Sequence, residues 1–221
     1  MSGQGASGHP MRPTILLADD HSVIRFGLRA LLEMADMQVV AEAADGREAV
    51  RLAQEQVPDV AVFDIAMPGL NGIEAASMLK TRCPHTRVVI LSMHSDSEHV
   101  HRAMAAGASG YVLKGGATDE IVTAVRAVHG GRNYLSAGLA AAVSAGGPIA
   151  ARGPLDSLSA RERQVLQLVA EGHSSAQIAA LVHLSPKSVD TYRSRLMRKL
   201  GVADLAALIR FAVQHGLTPG G

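Results

Sequence analysis

The sequence has no tryptophan, three phenylalanines, three tyrosines and a single cysteine. Its cores must therefore be aliphatic, built from Ala, Val, Leu and Ile. One cysteine, Cys83, excludes an intramolecular disulfide framework and any zinc site made of clustered cysteines. No run of about 18 apolar residues is present to span a bilayer. The opening MSGQGASGHPMR is rich in Gly and Ser and lacks the apolar stretch of a secretory signal, so a cytoplasmic protein with no membrane partner is expected. What is there is 48% hydrophobic and 19% charged over 221 residues. That composition can bury real cores, in one large domain or two modest ones, and is unlike a disordered chain.

The net charge of +1 is a sum of unlike halves. Residues 1–135 carry 12 Lys/Arg against 15 Asp/Glu, whereas residues 136–221 carry 9 against 5. Such a split points to two domains with different partners, the basic one suited to a polyanion.

From Pro13 to about Gly130, short apolar runs alternate with amphipathic stretches. The runs are TILLA (14–18), QVVAEA (38–43), DVAVFD (59–64), RVVILS (87–92) and GYVLK (110–114). Runs of this length, rich in Val and Ile, fit strands buried on both faces of a parallel sheet. Between them, apolar residues recur at helical steps: Val23, Leu28, Leu31 and Leu32, then Ile73, Ala76 and Leu79, then Ile121, Val125 and Val128. Five strands alternating with five helices predict a doubly wound α/β fold with a five-stranded parallel sheet. After Gly130 the pattern breaks down. Residues 132–154 read as a linker that holds at most a short helix near 136–144. From Leu155 the signals are all helical, with a Ser159/Glu162 capping box, Gly172 and Gly201 as stops, and four short helices in all.

In open parallel sheets ligands bind at the carboxyl ends of the strands. Strand 1 ends in Asp19-Asp20, strand 3 in Asp64, strand 4 in Ser92 and strand 5 in Lys114. Taken singly, Asp20 or Ser92 could cap a helix, Asp64 could sit in a turn and Lys114 could be solvated. Taken together, three carboxylates, a hydroxyl and an ammonium converge on one rim. Clustered carboxylates repel unless a cation shares the site, and a few oxygen ligands plus water suit Mg²⁺. One carboxylate could then attack a phosphoryl group whose oxygens Lys114 and Ser92 would contact.

ILLADD, VFDIAMPGLNG, VVILS and GYVLK together resemble the receiver domain of bacterial two-component response regulators, over about residues 13–130. The resemblance implies a flavodoxin-like strand order of 2-1-3-4-5. It makes Asp64 the phosphoacceptor and gives the Mg²⁺ site to Asp20 and Asp64, with Asp19 in support and the Ala66 carbonyl as a further ligand. It places Tyr111 at the switch aromatic position. The sequence keeps a hydroxyl at Ser92 where many receivers have Thr, and follows Lys114 with Gly115 where many have Pro.

LSPKSVDTYRSRLMRKLG (184–201) holds five of the nine basic residues of its half and one acid, Asp190. Val189, Leu196 and Leu200, with Tyr192 beside them, form a core stripe. The opposite face presents Lys187, Thr191, Ser194 and Arg198, flanked by Asp190 and Arg195. A charged helix is often only a solvated surface. Here, however, SAQIAALV and HLSPKS precede it with helix-turn-helix spacing, Ser185 can cap it and Pro186 suits its first position. Asp190 could accept from a cytosine amino group, or pair with Arg193.

LSARERQVLQLVAEGHSSAQIAALVHLSPKSVDTYRSRLMRKLGV (158–202) resembles the LuxR-type helix-turn-helix domain, and the two halves together, over nearly all of Pro13 to His215, resemble a response regulator of the NarL/FixJ class. That implies a tail over 1–12, a receiver over 13–131, a linker over 132–154 and a DNA-binding domain over 155–221. It also implies a sensor histidine kinase as phosphoryl donor, double-stranded promoter DNA as target, RNA polymerase as a further partner and a homodimer on phosphorylation. In this class the last helix commonly supports dimerisation, and the stripe Leu205, Leu208, Ile209 and Ala212 would serve either that or core packing. Ser175-Ala176-Gln177 stands where family members often carry Asn-Lys-Glu, which predicts a weaker cap or phosphate contact there. A regulator controlled by a protein or small molecule without phosphorylation is the alternative. An enzyme is not expected, because no glycine-rich nucleotide loop is present and no second acid lies two residues after Asp64.

Overall fold

The structure, a computed structural model, describes residues 12–116, 119–139 and 153–218. Apart from Arg12, the tail expected over 1–12 lies outside the described residues, as do residues 140–152 of the expected linker.

Strands β1 (Thr14–Ala18), β2 (Gln38–Ala43), β3 (Val60–Asp64), β4 (Arg87–Ser92) and β5 (Gly110–Leu113) fall on the five apolar runs. Helices α1 (Ser22–Met34), α2 (Gly46–Gln56), α3 (Gly72–Arg82), α4 (Ser97–Ala105) and α5 (Glu120–His129) lie between and after them. All pairings are parallel, and the sheet order is β2-β1-β3-β4-β5, with a sixth strand, β6 (Tyr134–Leu135), beside β5. Alternate side chains feed two separate cores, as the pleat requires. Leu16, Ala61, Phe63, Ile90 and Tyr111 pack on one face with residues of α2, α3 and α4. Ile15, Leu17, Val60, Val62, Val89 and Val112 pack on the other with residues of α1 and α5.

Two expectations are corrected here. The sheet has six strands, because β6 (Tyr134–Leu135) pairs parallel with β5 inside the stretch read as linker. A two-residue edge strand leaves no apolar run to detect. Tyr134 N donates to Ser109 O, and Ser136 N to Tyr111 O, so the chain is tied to the sheet up to that point. Of the expected short helix, residues 137–139 are helical and the rest lies outside the described residues. In α1, Val23 does not join the buried stripe: it is 82% exposed, and Leu32 is the buried member. The helix packs through its second half, so its first turn projects beside the sheet's carboxyl edge.

A 3-10 turn (Pro154–Ser157) leads into α6 (Ala160–Ala170), α7 (Ser175–Val182), α8 (Pro186–Leu200) and α9 (Leu205–Gln214). Leu166, Val169, Ile178, Val189, Leu196 and Leu208 belong to their shared core. Ser159 and Glu162 close a capping box on α6. The departure at Ser175-Ala176-Gln177 costs no cap: Ser174 and Gln177 form a second box on α7. Ser185 caps α8, with Pro186 in its first turn. In α9, Leu208 and Ala212 are buried in the core, whereas Leu205 and Val213 remain exposed.

Candidate functional site

The four strand ends meet as expected from the chain order. Asp19, Asp64 and Ser92 are nearly inaccessible, and Asp20 is partly so. Lys114 Nζ bridges the carboxylates, 2.8 Å from Asp19 Oδ2 and 2.9 Å from Asp64 Oδ1. Gly72 fixes how closely α3 approaches this edge, since a Cβ there would come within 2.1 Å of the Asp64 carbonyl oxygen.

Burial pushes the Asp64 carboxyl above the ordinary carboxylate range; Lys114 pulls it back, and Asp19 and Asp20 add to the rise. Burial also works against the charge on Lys114, but Asp64 and Asp19 outweigh it and hold the ammonium's pKa above its usual value. The lysine is therefore a fixed cation among these acids.

Donor atoms of Asp19, Asp20, His21 and Asp64 lie within 4.8 Å of one another. Asp20 Oδ1 is buried and has no hydrogen-bond partner, although His21 Nδ1 stands 2.8 Å away. An orphaned carboxylate oxygen beside two further carboxylates is the donor set a hard divalent cation takes. Ala66 lies in the loop that leaves β3. His21 was not singled out in the sequence, although its place directly after Asp19-Asp20 was the available signal. The N-cap position of α1 is His21, without a side-chain cap, so Asp20 is not spent on that helix.

Ser92 does not cap α4; Asp96 does. Ser92 Oγ instead accepts from His94 N at 2.9 Å, and Tyr111 OH donates to His94 O at 2.9 Å. The main chain of His94 is thereby held between the two residues proposed to sense the phosphoryl group. Tyr111 is fully buried, and burial pushes its phenol well above the usual range.

On α8, Lys187, Asp190, Thr191, Ser194, Arg195 and Arg198 are all exposed, with Val189 and Leu196 turned into the core. Asp190 is engaged within the domain: Ser175 Oγ donates to its Oδ1 at 2.6 Å, and Arg193 Nη1 donates to Ser175 Oγ at 3.0 Å. The direct Asp190–Arg193 approach is a marginal 4.0 Å, so Ser175 is the firmer partner.

The family described as "Response regulator receiver domain" matches residues 15–126. The family described as "Bacterial regulatory proteins, luxR family" matches residues 156–212. The response regulator UvrY of Escherichia coli is 35% identical over 206 residues, covering 92% of this chain and 94% of its own length. The chain is a response regulator of the NarL/FixJ class. The response regulator GacA of Pseudomonas aeruginosa is 37% identical over 206 residues, covering 92% of this chain and 96% of its own. Among solved structures, RcsB of Salmonella enterica serovar Typhimurium, bound to promoter rprA in the presence of phosphomimetic BeF3-, aligns with a TM-score of 0.65 and 28% identity. That alignment covers 91% of this chain and 99% of that one.

In this response regulator the receiver and the LuxR-type domain meet along a polar seam that sequence reasoning missed. Gln167 of α6, fully buried, accepts from the main-chain N and from Nδ2 of Asn71, each at 3.1 Å, and donates to Met67 O at 2.8 Å. Glu171 accepts from Gly69 N at 2.8 Å. Arg163 Nε meets Glu74 at 2.5 Å, and His99 Nε2 lies 3.0 Å from His215 O. Residues 67–71 belong to the loop that leaves Asp64, so the DNA-binding domain is seated on the backbone next to the acidic pocket.

Proposed function

We propose that this response regulator is switched by phosphorylation of Asp64 and then binds promoter DNA as a dimer. The observation that carries this is the Lys114 ammonium held between Asp19 and Asp64, with Ser92 on the next strand end. In the proposed step, one Asp64 oxygen attacks the phosphorus of a phosphohistidine on a sensor kinase. The P–N bond breaks and the imidazole leaves. Lys114, released from part of its contact with Asp64, pairs with a phosphoryl oxygen, and Ser92 Oγ–H donates to another. Asp20, Asp64 and the Ala66 carbonyl would hold Mg²⁺, with Asp19 in support. The ion would offset negative charge during transfer.

The kinase would meet the surface beside this pocket, where the first two turns of α1 leave Val23 and Phe26 exposed. Once Ser92 turns toward the phosphoryl group, its bond to His94 N is given up and Tyr111 is free to follow. The seam over residues 67–71 and α4 is then weakened, and the DNA-binding domain is released to pair. Lys187, Arg195 and Arg198 would meet phosphates, while Thr191 and Ser194 approach base edges in the major groove. Asp190, already bonded to Ser175, orients α8 against α7 and leaves base contact to its neighbours. Exposed Leu205 and Val213 on α9 offer a dimer contact. The division is proposed as a tail over 1–12, a receiver over 13–131 extended by β6 within 132–154, and a DNA-binding domain over 155–221, all in the cytoplasm with RNA polymerase as a further partner. The test is labelling by acetyl phosphate with Mg²⁺: the wild-type chain takes up phosphoryl and Asp64→Asn does not, whereas equal labelling of both overturns the assignment.

A further inference from the structure

Behind the seam lies a buried cation. Arg102 of α4 is 6% exposed, and its Nη2 is inaccessible and has no hydrogen-bond partner among the described residues. Glu98, one turn earlier on α4, has an inaccessible Oε1 with no partner among them either. A glutamate four positions before an arginine on a helix ordinarily pairs with it. Here an oxygen of one and a nitrogen of the other are left unsatisfied, which is costly for a buried charge. Burial holds the pKa of the Arg102 guanidinium below its usual range. Glu74 is the strongest opposing influence, and Arg163 adds to the lowering.

The docked DNA-binding domain covers both receiver carboxylates that neighbour Arg102. Arg163 of α6 takes the two Glu74 oxygens, with Nε 2.5 Å from Oε1 and Nη2 3.5 Å from Oε2. Gly153, at the entry to that domain, lies so close over Glu98 that a Cβ would stand 1.8 Å from Oε1. A third acid, Asp156, accepts from Gly153 N at 2.9 Å. Glu74 and Glu98 stay with Arg102 in the receiver when the domains part, whereas Arg163 leaves. Glu74, Arg102, Asp156 and Arg163 line one cavity of about 230 Å³ between α3, α4 and the DNA-binding domain, so an arginine side chain has room to swing there.

We propose that Arg102 is a built-in release element: it competes with Arg163 for Glu74, Arg163 holding the carboxylate in the docked form and Arg102 taking it when the domains part. Each state then has one ion pair on Glu74, and only the docked state strands a buried guanidinium. The Glu74–Arg163 contact is consequently a weaker tether than its geometry suggests, because undocking exchanges it for another pair. Docking stays shallow enough for a small displacement of α4 to shift the balance toward the open form. This role rests on the seam release proposed above and supplies the bias that the release works with.

The test is a double-mutant cycle in the full-length, unphosphorylated chain, with Arg102→Met, Arg163→Met and both together. The readout is hydrogen exchange at the Gly69 and Asn71 amides, which the seam covers. Arg102→Met keeps an unbranched stem and removes the charge, so it should slow exchange about 10-fold or more and lower DNA affinity in parallel. Arg163→Met should quicken exchange only slightly in the wild-type background, where Arg102 takes over Glu74. In the Arg102→Met chain the same change should quicken it about 5-fold or more beyond that, because no cation then remains for Glu74. Faster exchange in a folded Arg102→Met chain overturns the release role. Strictly additive effects overturn the competition for Glu74. The Arg102 guanidinium resonance of wild-type protein needs no variant to fold, and it should shift when beryllofluoride opens the seam. A resonance that stays fixed while the Gly69 and Asn71 amides lose protection overturns the exchange of partners. Amides that stay protected under beryllofluoride count against the Asp64 switch, and the cycle then judges Arg102 by itself.

Discussion

The Gln167 carbonyl oxygen accepts from both the main-chain and the side-chain amide of Asn71, each at 3.1 Å. The residues are 96 positions apart, both are buried, and Asn71 also caps α3 through Glu74 N. One side chain of the DNA-binding domain thus reads the helix start that follows the proposed phosphoacceptor.

Gln167→Leu would keep the volume and remove the acceptor, leaving the Asn71 amide buried and unpaired. The expected cost to the docked arrangement is about 1–3 kcal/mol. Hydrogen exchange should quicken at the Asn71 and Gly69 amides, and DNA affinity should rise without phosphorylation. Unchanged exchange at both amides would show that Gln167 does not hold the seam.

The proposed phosphoacceptor should destabilise its own domain at neutral pH. Burial raises the Asp64 carboxyl above its ordinary value, so the folded state binds this proton more readily than the unfolded state. The ionised carboxylate is then a cost to folding above the folded pKa. That cost shrinks as pH falls through the folded pKa and is gone below the unfolded one. Without divalent metal, Asp64→Asn should therefore be the more stable protein near neutral pH, by about 1.4 kcal/mol for each pKa unit of elevation. Urea unfolding at about pH 7 and about pH 3 checks this. An advantage that grows in acid has the wrong sign.

DNA binding should fall steeply with salt, with a log–log slope of roughly −0.9 for each neutralised phosphate. Lys187→Ala and Arg198→Ala should each flatten the slope by about one such increment and weaken all sequences alike. Thr191→Val should change sequence preference with little effect on the slope. A slope that ignores Lys187 and Arg198 together would place the polyanion elsewhere.

The sheet was legible because strands buried on both faces write continuous apolar runs, and because ligating residues of such sheets sit where those runs end. Asp19, Asp20, Asp64, Ser92 and Lys114 are therefore grouped by the sequence itself, and Ser159, Ser185 and Pro186 mark helix starts by local chemistry. β6 was not legible, since Tyr134–Leu135 is too short to carry a period. Val23 looked apolar and in phase, but α1 packs through its second half. The seam was hidden for a different reason. Arg163 and Gln167 lie on a helix, and Glu171 at its end, whose pattern says only that polar residues face outward, and their partners lie some hundred residues away.

The most direct measurement of the switch is DNA affinity before and after phosphorylation, at one salt concentration, for wild type and Asp64→Asn. The expected result is tighter binding by wild type after acetyl phosphate with Mg²⁺, accompanied by dimer formation in sedimentation, and no response in Asp64→Asn. Equal tightening in both proteins, or phosphorylated wild type that binds DNA no better than before, would contradict it.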